Sequence, residues 1–498
     1  MPAFWIISAV LTVFAAPLNA QPVAQEPAPT TEQDILEHIA ILASDDFAGR
    51  DPGTIGETKT LRYLAEQWAA TGMVSGTNDA DSPWYQPVPL IERKPIETNA
   101  RFLRNGRAIN VDDDDIFLNA DRPEAKVSGP VIFVGYGTDA SNTVKADVDG
   151  KIALMLYESP RDAEDYPSRD QRREALTKAG AVAVLTVAPD GFPWRAVRRR
   201  ARRGSYERNA YDRPTINGII RPGLARDLFR RTESNLEAES KAAENSSVYA
   251  GFDMGLTANL SASMEVRSFT SHNIIGKFPG SKPGSGAVML LGHWDHFGSE
   301  CRPLEEGDRI CNGAQDNASG LAVLTEIAEE LGRLGPFDRD IYFMGTTAEE
   351  RGLLGAFHYA DNPVFPLEDI VIALNIDTAT IAKRGAPVAI IGRGETDLDD
   401  EIDAISRSLG REVEKSLEPN AYIRRLDSWA LAAKGVPALM IGGAFADEDL
   451  LQKFLRGIYH TPDDEMENIA DLSGAAEDTD LHIALVRHFA DTEKYSKE

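Results

Sequence analysis

Residues 287–296 read Ala-Val-Met-Leu-Leu-Gly-His-Trp-Asp-His and give the clearest indication of the fold. The apolar run over residues 287–291 predicts a strand with both faces covered, as in a parallel sheet between layers of helices. Polar residues follow where the strand ends. Because residues two apart in an extended chain point the same way, His293 and Asp295 would face one site. His296 would then point to the other face, and we interpret it as a structural residue.

A regular alternation of strands and helices continues from residue 273 onward. Apolar runs predict strands at 273–278, 287–291, 339–345, 370–375, 388–391 and 438–441. Periodic apolar positions predict helices at 318–333, 352–359, 397–409 and 477–491. This alternation indicates an α/β fold. In sheets of that class, ligands bind beyond the carboxyl ends of the strands, so polar residues just after predicted strands are candidates for a site.

The rest of the chain divides into two regions. Before residue 100, periodic apolar positions predict helices at 31–44 and 55–71, and alternation predicts an edge strand at 85–91. Short strand–helix–strand units predict a small inserted domain, with strands at 127–135, 152–156 and 181–187. We therefore expect a signal peptide at 1–20, the N-terminal part of the main domain at 21–99, the inserted domain at 100–262 and the main catalytic domain at 263–498.

The composition is typical of a globular protein and limits its partners. A chain of 498 residues is too long for one ordinary core, so two domains are expected. Hydrophobic residues make up 42% and charged residues 26% of the chain, and the formal net charge is −27. Because so acidic a surface repels phosphate backbones, we expect no nucleic-acid partner.

The first twenty residues predict export. Residues 4–16 form an apolar run that is too short to span a bilayer, and cleavage is expected after Ala20. No later segment has 18 uninterrupted apolar residues, so we expect a periplasmic or secreted protein without a stable membrane span. In an oxidising compartment, Cys301 and Cys311 would form a disulfide that stiffens the loop between His293 and Asp316.

Acidic and imidazole residues form a second set of candidates, because they follow predicted strands or lie in loops. They are Asp316, Glu349, Glu350, Asp377 and His460. Two neighbouring carboxylates at the half-buried end of a strand imply a cation or a raised pKa. A mixture of carboxylate and imidazole groups without cysteine suits zinc and harder cations.

With His293 included, this set can hold two zinc ions. One ion suits His293, Asp316 and Asp377, and the other suits Asp316, Glu350 and His460. A water bridged between the ions would then be activated for hydrolysis. In isolation Asp316 would instead be interpreted as the N-cap of a helix.

The remaining two carboxylates have other expected roles. Glu349 would be left without a metal ion, as the general base that acts on this water. Asp295 would hydrogen-bond an imidazole or orient the base.

These motifs resemble those of the co-catalytic di-zinc exopeptidases, the aminopeptidase and glutamate carboxypeptidase family. The matching stretches are Phe47-Ala48-Gly49-Arg50, Gly292-His293-Trp294-Asp295-His296, Gly313-Ala314-Gln315-Asp316-Asn317-Ala318-Ser319-Gly320, Thr347-Ala348-Glu349-Glu350-Arg351-Gly352, Asn375-Ile376-Asp377 and Tyr459-His460-Thr461-Pro462-Asp463. The inserted region resembles a protease-associated (PA) domain at Gly135-Tyr136-Gly137 and Asp149-Gly150-Lys151. The resemblance implies a mixed-sheet α/β/α peptidase domain with a smaller, β-rich PA-like domain inserted.

The resemblance also implies a role for each matching residue. The implied metal ligands are His293, Asp316, Glu350, Asp377 and His460. Glu349 would be the base, Asp295 its supporting carboxylate, and Tyr459 a hydrogen-bond donor to the oxyanion. One stretch departs from the family, because residues 425–429 read Arg-Leu-Asp-Ser-Trp where many relatives have Arg-Ser-Asp-His. The substrate pocket built there is therefore not carried over.

Three functions stay open on the sequence alone. The first is an exported di-zinc aminopeptidase that acts on peptides. The second is a carboxypeptidase or dipeptidase of the same fold, which needs a cation such as Arg424 or Arg425 for the substrate carboxylate. The third is a non-catalytic receptor, which should have lost ligands or the base, and none is missing. Oligomeric state is not predicted, and the Arg-rich residues 195–203 fit either a solvated helix face or an acidic partner.

Overall fold

The structure is a computed structural model that describes residues 26–161, 166–208, 214–246, 248–299, 301 and 307–496. The signal peptide predicted at residues 1–20 lies outside the described residues. Within the described ranges, no helix is long and apolar enough to cross a membrane.

The described chain contains helices and strands throughout. The helices are α1 Glu32–Leu42, α2 Ile55–Ala70, α3 Arg169–Lys178, α4 Trp194–Arg203, α5 Pro222–Phe229, α6 Leu236–Glu244, α7 Ser319–Leu334, α8 Leu354–Asp361, α9 Asp399–Ser408, α10 Ser428–Ala432, α11 Glu448–Arg456 and α12 Ser473–Phe489. The strands are β1 Val74–Ser75, β2 Tyr85–Arg104, β3 Arg107–Ile109, β4 Ile116–Ala120, β5 Glu124–Phe133, β6 Ile152–Leu156, β7 Ala183–Val187, β8 Ser205–Glu207, β9 Ile216–Ile220, β10 Phe252–Phe278, β11 Ala287–His293, β12 Asp340–Thr346, β13 Ile370–Asn375, β14 Ala389–Ile391 and β15 Ala438–Gly442. Short helical turns occur at Asp45–Arg50, Asp113–Asp115, Ala314–Ala318, Leu367–Asp369, Glu418–Arg425 and Met466–Asn468.

The strands of the main domain form a mixed sheet in the order β14-β15-β13-β11-β12-β10. β11 pairs in parallel with β12 and with β13, and β13 pairs in parallel with β15. β10 and β14 are antiparallel to their neighbours. The carboxyl ends of β13, β11 and β12 therefore meet at one edge of the sheet, and the predicted α/β fold with a mixed sheet is confirmed.

Helices cover both faces of this sheet because its strands are apolar on both sides. In β11, Val288 and Leu290 pack into the core that includes α1, α2, α7 and α12. Met289 and Leu291 pack on the opposite face, into the core that includes α8 and α10. The unbroken apolar run at residues 287–291 is thus the signature of a strand in the central layer of an α/β/α arrangement.

Two strands are much longer than the sequence predicts. β2 starts at Tyr85, where an edge strand was expected, but extends to Arg104. β10 includes the predicted strand at 273–278 but begins at Phe252. The two pair antiparallel from Tyr85 opposite Ile274 to Leu103 opposite Thr257, which stabilises lengths that neither sequence pattern indicates alone.

The inserted region joins the sheet through this ribbon and has a core of its own. β5 pairs with β10, and the order continues through β6, β7, β9 and β4. Its core contains apolar residues of β5, β6, β7 and β9 and of the first half of β10. The domain boundaries at residues 99/100 and 262/263 stay a prediction.

Candidate metal centre

The carboxyl-terminal edge of the main sheet collects the predicted site residues. His293 is the last residue of β11, Asp377 follows the end of β13 by two residues, and Glu349 follows the end of β12 by three. Asp316 lies in the irregular turn before α7, and His460 lies in a turn after α11. Residues separated by up to 167 positions in the chain are therefore neighbours because parallel strands end side by side.

A first group of possible ligands surrounds His293. Its Nε2 atom lies 3.2 Å from Asp316 Oδ1 and 3.6 Å from Asp377 Oδ1. The ligand atoms of these three residues all lie within 4.8 Å of one another. His293 Nδ1 lies 3.1 Å from the backbone carbonyl oxygen of Asp295, and because a carbonyl can only accept, Nδ1 is the donor. In the neutral imidazole, Nε2 therefore carries the lone pair, which is directed at the carboxylates.

A second group lies on the other side of Asp316. His460 Nε2 is 3.3 Å from Asp316 Oδ2 and 2.9 Å from Glu350 Oε2. His296 Nε2 is 3.3 Å from Glu350 Oε1, so the structure also brings this histidine into the group. The expectation that His296 points to another face was wrong. β11 ends at His293, and residues 294–297 are not in a strand, so side chains no longer alternate there.

Asp316 belongs to both groups, with Oδ1 facing His293 and Oδ2 facing His460. Burial favours a raised pKa for this carboxyl group, but the two facing imidazoles hold its pKa well below the usual range. The turn that carries Asp316 packs closely against its neighbours because Gly320 has no side chain. A Cβ atom at Gly320 would lie 2.3 Å from Asn317 Oδ1 and 2.7 Å from the Ile376 carbonyl oxygen.

Several buried nitrogen and oxygen atoms of this region lack hydrogen-bond partners, as expected for a site that binds cations. Within the part of the chain that the structure describes, no hydrogen-bond partner is found for the buried atoms His293 Nε2, His296 Nε2, Glu350 Oε1, Asp377 Oδ1 and His460 Nε2. His460 Nε2 lies 2.9 Å from Glu350 Oε2, but this contact does not have hydrogen-bond geometry. Buried polar atoms without a hydrogen-bond partner are rare in native interiors. Nitrogen and oxygen donors that converge without partners are what a zinc site requires.

Glu349 lies beside the two groups without belonging to either. Its Oε2 atom is 4.0 Å from His293 Nε2, and its side chain lines the cavity at the centre. Burial, reinforced by the neighbouring Glu350 carboxylate, raises its pKa well above the usual range. Asp295 Oδ1 accepts a hydrogen bond of 2.9 Å from the Glu349 backbone N–H. The Asp295 side chain therefore contacts the backbone of Glu349, the expected base. Burial raises the pKa of Asp295 itself to about 8.

A buried arginine that sequence reasoning left without a role holds the loops behind the centre. The Arg50 guanidinium donates hydrogen bonds of 2.5–2.9 Å to the carbonyl oxygens of Leu42, Trp294, Asn312 and Gly313. Burial lowers its pKa to about 10. Its only sequence signal was membership of the stretch Phe47-Ala48-Gly49-Arg50.

Asp464 is a second supporting residue without an assigned role. Its two oxygens accept hydrogen bonds from the backbone N–H groups of Gln315 (2.9 Å) and Asp316 (3.1 Å). Burial raises its pKa to about 7. Because Asp464 follows His460 by four residues, it links the His460 turn to the Asp316 turn.

The cavity beside the centre is mostly apolar away from the ligands. Its lining comprises Asp316, Glu349, Asp377, Thr378, Tyr422, Arg425, Leu426, Phe445, Leu451, Phe454, Leu455 and Tyr459. Arg425 Nη2 donates a hydrogen bond of 3.0 Å to Tyr459 Oη, and the Tyr459 ring stacks on His460 at 3.5 Å between centroids. Leu426, one of the residues that depart from the family, forms part of this wall. Arg424 instead lies over the ring of Trp429 and is not among the lining residues.

The adjoining stretch supports the sheet edge. Asp427 is buried and accepts a hydrogen bond from the Thr346 hydroxyl, at the end of β12. Burial raises its pKa to about 6. Ser428, the other departing residue, is buried at the first position of α10.

The cysteines and the Arg-rich stretch also take defined positions. Cys301 and Cys311 are paired, as predicted, with Cα atoms 5.7 Å apart, and both are buried. Residues 195–203 belong to α4, as the helix interpretation requires. The face of α4 is not wholly solvated, because Arg203 is buried with its guanidinium 3.9 Å from the centre of the Phe297 ring.

Comparison with known proteins supports the relationship inferred from the motifs. The sequence model of Peptidase family M28 matches residues 273–484. Aminopeptidase YwaD of Bacillus subtilis (strain 168) is 36% identical over 111 residues, which are 22% of this chain and 22% of that protein. The probable lipoprotein aminopeptidase LpqL of Mycobacterium tuberculosis (strain ATCC 25618 / H37Rv) is 25% identical over 211 residues, 39% of this chain and 38% of that protein. The matches thus span well under half of these relatives.

A solved structure extends the similarity of fold to most of the chain. The aminopeptidase from Aneurinibacillus sp. strain AM-1 superposes with a TM-score of 0.59, covering 92% of this chain and 94% of that one. At 19% identity, this likeness shows a shared fold and nothing further.

Proposed function

We propose that the protein is a di-zinc aminopeptidase, because residues 273–484 match the sequence model of Peptidase family M28. It would remove N-terminal residues from peptides. His293, Asp316 and Asp377 would hold one zinc ion, and Asp316, Glu350 and His460 would hold the other. The two curated relatives described above are aminopeptidases by name, which favours this activity over others of the fold.

One observation carries the proposal: the two oxygens of Asp316 face different histidine-containing groups. A carboxylate in that position can bridge two cations, whereas an N-cap carboxylate would accept hydrogen bonds from its own helix. The first turn of α7 receives no side-chain cap from Asp316. The N-cap interpretation of Asp316 therefore has no support.

The chain's own groups can move the protons that peptide hydrolysis requires. When bound, the zinc ions supply Lewis acidity that activates water and stabilises negative charge on the peptide carbonyl. Glu349 lies on the cavity wall and would take a proton from the attacking water, then deliver it to the leaving amine. Asp295 fixes the backbone of Glu349 and so orients this carboxylate.

Tyr459 would donate a hydrogen bond to the developing oxyanion. Arg425 occupies a lone pair of the phenol oxygen by donating to it, so the O–H hydrogen of Tyr459 stays available for the cavity. Stacking on His460 holds the ring beside the second metal group. Such preorganised donors stabilise tetrahedral intermediates.

A carboxypeptidase or dipeptidase is the second candidate, and Arg425 is the observation that favours it. Arg425 is the cation among the cavity-lining residues and could bind a substrate carboxylate. Its bond to Tyr459 already uses one of its donors, and the cavity also presents the carboxylates of Glu349 and Asp377, which suit a substrate ammonium group. The aminopeptidase therefore remains our proposal. A non-catalytic receptor does not explain why the full ligand set and Glu349 converge.

A substrate screen tests this choice. Leucyl-p-nitroanilide, its N-acetylated form and an N-blocked dipeptide with a free carboxylate would be compared, each with and without a chelator. We expect hydrolysis of the free-amine substrate only, loss of it with chelator, and recovery on adding zinc. Zinc content should be two ions per chain by elemental analysis. Hydrolysis of the N-blocked dipeptide instead would establish the second candidate.

We further propose that the protein is exported to the periplasm or secreted, and that residues 100–262 are a PA-like domain. Export is supported by the apolar run at residues 4–16 and by the paired cysteines, since disulfides persist in oxidising compartments. N-terminal sequencing of protein recovered outside the cytoplasm should begin at Gln21.

A further inference from the structure

His296 has the same arrangement of contacts as His293. His293 Nδ1 donates to the Asp295 carbonyl oxygen at 3.1 Å, and His296 Nδ1 lies 3.0 Å from the Cys311 carbonyl oxygen. Because a carbonyl only accepts, His296 Nδ1 is also the donor, and its Nε2 keeps a lone pair. A carbonyl that fixes the tautomer in this way is the usual partner of a metal-binding histidine.

The lone pair of His296 Nε2 faces a carboxylate oxygen of Glu350. Glu350 Oε1 lies 3.3 Å from Nε2, and neither atom has a hydrogen-bond partner among the described residues. The histidine is fully buried, so water does not separate the two. Two acceptors this close repel each other unless a metal ion or a proton lies between them. The other Glu350 oxygen faces His460, so both oxygens of one carboxylate face imidazole nitrogens.

We propose that His296 is a fourth protein ligand of the second metal ion, together with Asp316, Glu350 and His460. The ligand atoms of all four lie within 4.8 Å of one another. This inference rests on the proposed di-zinc function but goes beyond it, since it makes the two sites unequal. The site of His293 has three protein ligands and an open position, which is the pattern of a catalytic zinc site. The site of His296 has four, which is the pattern of a closed site that holds its ion more tightly.

The variant His296→Asn tests the assignment with little change in shape. The asparagine amide nitrogen can keep the hydrogen bond to the Cys311 carbonyl while Nε2 is removed. The matched control is His482→Asn, because His482 is also buried, contacts the Asp478 carbonyl through Nδ1 at 2.7 Å and has an Nε2 atom without a partner. His482 belongs to α12 and to no metal-binding group among the described residues.

Zinc binding would be measured by competition with a chromophoric chelator. Wild type and His482→Asn should each hold two ions, with the second released last. In His296→Asn we expect the affinity of the tighter site to fall about tenfold or more, while the weaker site changes little. Equal zinc affinities in His296→Asn and wild type would overturn the proposal.

X-ray absorption of the wild-type protein loaded with two zinc ions keeps the test independent of any variant's folding. Three coordinated imidazoles per two ions support the proposal, because His293, His296 and His460 would all be ligands. Two imidazoles per two ions overturn it and leave His296 as a partner of Glu350. A wild-type protein that binds no zinc would refute the proposed function itself, which separates the two failures.

Discussion

The metal centre and the inserted region use the same charged groups in opposite ways. In the insert, Arg226 pairs with Asp190 and lies 2.7 Å from Glu237, and both carboxylates are largely exposed. Hydrogen bonding to Arg226 lowers the pKa of each. At the metal centre, burial instead raises the pKa of Asp295 and Glu349.

This difference identifies the functional region better than charge does. The insert's acids are satisfied by a cation of the chain and by water, so nothing further is required. The buried atoms of the metal centre converge and, among the described residues, lack hydrogen-bond partners, a deficit that bound cations would relieve. The candidate site is thus marked by converging buried polar atoms that lack hydrogen-bond partners.

The largest effect that tests this contrast is expected for Asp316→Ala. Removing the carboxylate shared by both groups should abolish binding of both zinc ions and reduce turnover to that of chelator-treated protein. Elemental analysis and aminoacyl-p-nitroanilide hydrolysis would measure it. If Asp316→Ala kept two ions, the bridging role would be wrong.

Glu349→Gln should separate metal binding from chemistry. The amide has the size of the carboxylate but cannot accept the proton, so we expect kcat to fall by about 10²–10⁴-fold while zinc content stays at the wild-type value. Steady-state kinetics with parallel metal analysis would check this. Turnover within a few-fold of wild type would refute Glu349 as the base.

Two buried arginines allow a matched comparison of the regions. Arg50 behind the metal centre and Arg172 of α3 in the insert each donate to four backbone carbonyls. Replacing either by Ala leaves those carbonyls without a donor, so we expect a loss of about 3–5 kcal/mol in the free energy of unfolding. Only Arg50→Ala should also weaken zinc binding, because it releases the loops that carry His293 and Asp316. Denaturant unfolding and zinc titration of both variants would decide.

The smallest effect is expected for Arg226→Ala in the insert. Exposed ion pairs are screened by water, so the free energy of unfolding should fall by less than about 1 kcal/mol, with turnover unchanged. A clear loss of turnover would mean that the insert's surface charges act on the site, which would break the contrast between the regions.

The strand ends were predictable, and with them most of the site. His293, Glu349 and Asp377 follow apolar runs, and an apolar run followed by charge is readable from local sequence. His296 was not predictable, because the alternation of side chains assumes an extended chain and β11 stops at His293. Arg50 and Asp464 were missed as supporting residues, since their partners are backbone groups of distant loops that leave no local pattern.

Local periodicity and side-chain chemistry are enough to predict the α/β class, the main helices and strands and the residue types that suit zinc. The folded chain was needed to see that Asp316 lies between two groups, that His296 joins one of them, and that β2 and β10 form a long ribbon. Such contacts join residues far apart in the chain, so no local pattern indicates them. Their geometry depends on how strands align and on where buried atoms are left without partners.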